Sequence, residues 1–164
     1  MVRHLLIVVA ICSIPCSALA TTQEQDLLIL EGQHIHTYSL PRLDEAFPAI
    51  RFPEFEMIST ANRKGYRATW ATFQKQLYLV GLEARVTGKK HMLRNNDILP
   101  GHPFPLKVAD WSGMIIQTDR SSSWNGETWT DITETTTITV KKGVVTGTKV
   151  ATERKPRDAA VRNQ

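Results

Sequence analysis

The sequence runs to 164 residues and has only two cysteines, Cys12 and Cys16, both within its first twenty residues. The remainder carries none, which excludes a disulfide framework, a thiolate metal site and a cysteine nucleophile together. A second long apolar run is also missing. Residues 5–14 (LLIVVAICSI) have the length of a signal-peptide core and are too short to span a bilayer, and nothing downstream approaches the roughly eighteen apolar residues of a membrane helix. No segment carries a 3.6-residue apolar stripe, which argues against a helical bundle. There is no repeat of solenoid or propeller length. The G-x-S-x-G elbow, the H-E-x-x-H pair and a phosphate-cradling glycine loop are all absent.

What is present begins with an address. Arg3 and His4 precede the apolar run, and Ser17-Ala18-Leu19-Ala20 supplies an A-x-A site followed by a polar TTQEQ. This pattern predicts export with cleavage after Ala20, leaving no transmembrane segment. Pro15 before Cys16 disfavours a lipidated cysteine. An exported chain without cysteine suits a bacterial periplasm or the bacterial exterior better than a eukaryotic secretory route, where small domains are often disulfide-stapled. The expected organisation is a signal peptide at 1–20, one all-β domain at 21–153 and a basic disordered tail at 154–164. The formal net charge of +4 is concentrated in that tail, at Arg154, Lys155, Arg157 and Arg162. The folded part is close to neutral, so the basic balance gives no case for nucleic-acid binding.

Period-2 alternation dominates the middle of the chain. Residues 65–73 (GYRATWATF) and 76–86 (QLYLVGLEARV) read as two strands joined at Gln74-Lys75. In the second, Tyr78, Val80, Leu82, Ala84 and Val86 are expected on the buried face. Residues 129–140, rich in threonine and isoleucine, turn at Lys142-Gly143 into a partner strand at 144–152. Residues 107–118 read as another strand, and residues 27–30 and 34–40 flank a turn at Glu31-Gly32-Gln33. The proline-bearing stretches 40–56 and 95–105 are expected as loops, with a helical turn near Asp44. The sum is an all-β fold: a single antiparallel domain of about seven or eight strands, closed as a sandwich or small barrel.

Residues 59–70 (STANRKGYRATW) with 76–80 (QLYLV) resemble a hairpin motif of small bacterial proteins with no assigned activity, in which R-G-Y-x-A-T-W precedes a turn and L-Y-L-V. The matching residues are Gly65, Tyr66, Ala68, Thr69, Trp70 and Leu77 to Val80. Here Lys64 separates Arg63 from Gly65, where the similar proteins join arginine and glycine directly. The resemblance implies the hairpin and no catalytic residue.

Three constellations carry potential chemistry. His34 and His36, two apart in a strand, project from one face as a candidate zinc or copper pair, with His91, His102 or a carboxylate as third ligand. The alternative is a polar outward face. Trp124 and Trp129 flank Asn125-Gly126-Glu127 in a polar loop, a candidate platform for a sugar face or anchor for a protein. The alternative is an Asn-Gly hairpin turn with both rings folded over the sheet. The threonines at 133, 135, 137 and 139 share one strand face and are expected to be solvated. The candidate ligand-binding residues are therefore Trp124, Asn125, Glu127 and Trp129, and the candidate metal ligands are His34 and His36. No cofactor is implied. The expected function is a non-enzymatic binding or interaction module of the periplasm or exterior, with a carbohydrate or another exported protein as partner. A secreted hydrolase or metal-dependent enzyme built on His34, His36 and carboxylates is the alternative. A third reading, a hollow carrier of apolar ligands, places Tyr66, Trp70, Tyr78 and Leu82 around an open cavity.

Overall fold

Among the described residues the molecule is built from nine strands, and helix is almost absent. The computed structural model describes residues 23–157; the expected signal peptide at 1–20 and the end of the expected tail, beyond Arg157, lie outside the described residues. In chain order the elements are β1 (Asp26–Leu30), β2 (Gln33–Thr37), a one-turn helix α1 (Leu43–Ala46), β3 (Tyr66–Phe73), β4 (Gln76–Ala84), β5 (Leu93–Arg94), β6 (Leu106–Lys107), β7 (Gly113–Trp124), β8 (Trp129–Lys141) and β9 (Val144–Pro156). They form one sheet in the order β2-β1-β3-β4-β9-β8-β7, with the short β5 and β6 also pairing with β4.

The expected all-β class holds, and its details are corrected. The sheet is mixed, because β1 runs parallel to β3, with Leu28 opposite Trp70. A parallel pair needs a long crossover, and residues 38–65 provide it. That connection is more than a loop: Leu40, Leu43, Ala46 and Phe47 are buried, and the Phe47 ring stacks on Trp70 at 6.1 Å.

The β3–β4 hairpin turns at Gln74-Lys75 as expected, both residues adopting positive φ as a two-residue hairpin requires. Its facing changes partway. Thr69 pairs with Gly81 and Trp70 with Leu79, so Val80 is an extra residue, and a bulge of this kind exchanges the faces on either side of it. Leu77 and Leu79 are therefore buried before the bulge, and Leu82 and Ala84 after it. Tyr78 and Val80, expected inside, are only half-buried.

The backbone ladder does not close. β4 meets β9 through one register pair, Gln76 with Val144. The Gln76 carboxamide reinforces it by donating to the carbonyls of Val108 (2.6 Å) and Gly143 (2.9 Å). Gly143 has φ +72°, and a Cβ there would collide with the Val108 carbonyl oxygen, so only glycine fits. On the opposite side the end strands β2 and β7 meet through side chains. The hydroxyls of Thr37 (2.5 Å) and Ser39 (2.8 Å) donate to the Ile116 carbonyl, and the Ile116 amide donates to Ser39 Oγ (2.8 Å). Between these two junctions lies one core, which Leu28, Trp70, Leu77 and Leu79 of β1, β3 and β4 share with Ile115, Ile138 and Val140 of β7 and β8. Tyr66, Trp70 and Leu82 belong to this packed core, which corrects the hollow-carrier expectation for those three residues.

Replacing Ser39 by Ala takes the acceptor from the Ile116 amide, while Thr37 still serves the Ile116 carbonyl, and costs about 0.5–1.5 kcal/mol, measurable by urea unfolding. Burial pushes the Tyr66 phenol up from 10.0 to about 12. A raised folded value means that the neutral phenol stabilises the fold below the unfolded value. That contribution is lost as pH rises from about 10 to about 12, and Tyr66→Phe removes this part of the alkaline loss of stability.

Candidate functional site

β7, β8 and β9 outrun the core. Among residues 118–137 none is buried, and beyond Val145 every described residue of β9 is exposed. The three strands therefore project as an arm of about 30 Å from Ile138 to Trp129, at about 3.3 Å per residue. Threonine explains why it stays extended: a β-branched side chain fits the pleat, and its hydroxyl tolerates water on both faces.

The polar loop expected between Trp124 and Trp129 is confined to the four residues that separate them. β7 continues to Trp124 and β8 begins at Trp129, with the two residues paired in register. Their rings meet at 5.5 Å between centroids, tilted by 42°, while remaining 51% and 39% exposed. They pack on each other at the arm's tip and cover no core. Asn125 Oδ1 accepts the amides of Glu127 (3.0 Å) and Thr128 (2.8 Å). That oxygen is thus engaged in holding the turn. Glu127 is exposed in the turn.

One row behind the rings lies a polar cluster that sequence reasoning missed. Ser122 pairs with Asp131 in register, each two residues from a tryptophan and hence on the same face. The Ser122 hydroxyl donates to Asp131 Oδ1 (2.8 Å). Arg157 forks onto both Asp131 oxygens (2.5 and 3.2 Å) and reaches Ser122 Oγ (3.0 Å). Hydrogen bonds from Arg157 and Ser122 hold the Asp131 carboxyl below its ordinary range, and Asp131 in turn raises the Arg157 guanidinium. The period-2 offset from the tryptophans was the available signal for Ser122 and Asp131. Arg157 carried none, since the charge pattern assigned it to the tail. The strand runs through Pro156, past the expected boundary at 154. A shallow depression of about 600 Å³, lined by residues including Arg120, Asp131, Thr133, Glu153 and Arg157, lies along this part of the arm.

His34 and His36 are exposed and flank the buried Ile35, so they share the outward face as their spacing predicts. Among the described residues no group of three His, Cys, Asp or Glu is gathered to hold a metal ion. The expected third ligand is therefore missing from the surroundings of His34 and His36. A second hollow, a cleft of about 680 Å³, opens where the arm leaves the body, with Leu30, Ile35, Gln117, Thr136 and Val150 among its walls. It lies between strands that meet only in the fold, and no local pattern announces it.

In comparison with known proteins, no family model matches the chain, and no curated protein or solved structure is similar to it.

Asp131→Asn weakens the charge-assisted fork of Arg157. The Arg157 amide, which donates to the Trp129 carbonyl (2.8 Å), then exchanges faster with solvent while core amides keep their protection, as read by hydrogen exchange. Because Asp131 titrates below its ordinary range, acid also lowers the protection of that amide, read against its intrinsic exchange at the same pH. The clamp is intact above that range and released as pH falls through the lowered value.

Proposed function

We propose that the chain is exported and serves as a non-enzymatic binding module of the bacterial periplasm or exterior, using the tip of its arm to bind carbohydrate. One observation carries the reading: two mutually packed tryptophans stand half-exposed at the end of an arm that buries nothing, so their apolar faces are free for a ligand. Flat aromatic faces beside polar side chains suit a sugar, which offers C–H groups on its faces and hydroxyls at its rim. Ser122, Asp131 and Arg157 supply the polar partners in the adjacent row. The alternative, a hydrolase or metal-dependent enzyme on His34 and His36, lacks a gathered third ligand among the described residues.

Export is tested by the intact mass of the protein recovered from the periplasm or medium of its host, which should begin at Thr21. Binding is tested by affinity electrophoresis through gels holding insoluble and soluble polysaccharides, peptidoglycan included. Retardation by at least one polymer is expected, weakened about tenfold or more by Trp124→Ala or Trp129→Ala, as for aromatic anchors in general. Unretarded migration in every gel overturns the reading.

A further inference from the structure

The arm has no apolar face in need of cover, but it has an open edge. β9 gives one side to β8 throughout its length, while its other side meets β4 only at Val144. The Val145 amide is the last group on that side to be taken, by the Lys75 carbonyl (2.7 Å). From Thr146 to Pro156 the outer edge is unpaired among the described residues. Such an edge is a template for another strand.

We propose that two copies of this chain pair antiparallel along β9 about a two-fold axis at Ala151, joining their arms into one six-stranded sheet. Two independent features of β9 select the same register. The first is length: Ala151 is the midpoint of the free edge, so Thr146 of one copy falls opposite Pro156 of the other and no free residue is left over. The ladder stops where β4 already occupies the edge. The second is charge. In this register Lys149 faces Glu153 of the second copy, and Glu153 faces its Lys149. Both are exposed, and neither takes part in an ion pair among the described residues. Opposite charges directly across an antiparallel pair are stabilising, and like charges are not. Moving the axis to Thr152 sets Lys149 against Lys155 twice.

The backbone agrees. The Arg157 amide bonds β8, so by strict alternation the odd-numbered residues from 149 face β8 and the even-numbered ones face outward. Thr148, Val150, Thr152 and Arg154 then offer amides and carbonyls to the second copy, forming about eight hydrogen bonds. Proline lacks only an outward N–H at Pro156, the place on an edge strand where it is tolerated. The β7 edge offers no such match. Asp119 and Arg120 differ in parity, so no antiparallel self-pairing sets them opposite each other. A two-fold contact through β9 is isologous and closes at the dimer.

The test is sedimentation of the purified protein across about 1–200 μM, a range that brackets micromolar association. A reversible dimer is expected. Lys149→Glu and Glu153→Lys each replace two attractions by two repulsions and should raise its dissociation constant roughly tenfold or more, and the double reversal should restore it. In a separate variant, Ala151→Cys should form an interchain disulfide under mild oxidation, because facing residues at a non-hydrogen-bonded position lie close, whereas Ser121→Cys on β7 should not. A monomer at every concentration overturns the proposal, as does a dimer indifferent to both reversals or one not restored by the double reversal. Failure of Ala151→Cys to cross-link overturns it without relying on the charge variants. Polysaccharide binding by the tip is read separately, so either proposal can fail alone.

Discussion

Everything in this molecule hangs on how the two ends of one open sheet are held together without a closed ladder. On one side the constraint is a carboxamide: Gln76 spans three backbone carbonyls, those of Leu77, Val108 and Gly143. On the other it is a pair of hydroxyls from Thr37 and Ser39 that together serve both backbone groups of Ile116. Side chains here do what strand pairing does elsewhere. They align Ile115 and Ile138 with Leu28 and Trp70 in the core, and so fix the base from which the arm leaves the body.

The stretch preceding β3 illustrates how a recognisable run of residues serves architecture. Asn62 is almost fully buried. It donates to the Tyr66 carbonyl (3.0 Å) and to Glu24 (2.5 Å), and accepts the Gly65 amide (3.1 Å). Lys64 reaches Asp26 (2.5 Å) and lies 4.8 Å from the centre of the Tyr66 ring. At Glu24, burial raises the carboxyl, but hydrogen bonds from Asn62 and Arg67 outweigh it and leave the group below its ordinary range. Gly65 sits against the Glu56 carbonyl so closely that a Cβ would lie 2.5 Å from it. These contacts account for the Asn-x-Lys-Gly-Tyr pattern as an anchor that sets β3 beside β1, with no ligand required.

Local pattern carried the strands, the Gln74-Lys75 turn and the shared outward face of the two histidines, because each depends on neighbours along the chain. It failed where a tertiary event intervened. The extra residue Val80 exchanged the inside and outside of β4, something alternation alone cannot register. The parallel β1–β3 pair depends on the path of the crossover, whose prolines looked like a plain loop until Leu43 and Phe47 were seen to pack beneath it. At the tip, the two tryptophans were legible as a pair, but the polar row behind them was not, since its arginine comes from the end of another strand. The arm itself was hidden because threonine-rich alternation reads the same on a half-buried sheet as on one wet on both sides.

The same construction has a consequence for how the chain folds. β7, β8 and β9 are successive hairpins, so their pairing joins residues close in sequence and meets little entropic resistance. The seam is the opposite case, joining Thr37 to Ile116 across 79 positions. Contacts of such separation are slow to form, and here they are also the ones that bring the two ends of the sheet together. The arm's pairings are therefore local, while the contacts that hold the ends of the sheet together join residues far apart in the chain and rest on two hydroxyls, Thr37 at the end of β2 and Ser39 just beyond it.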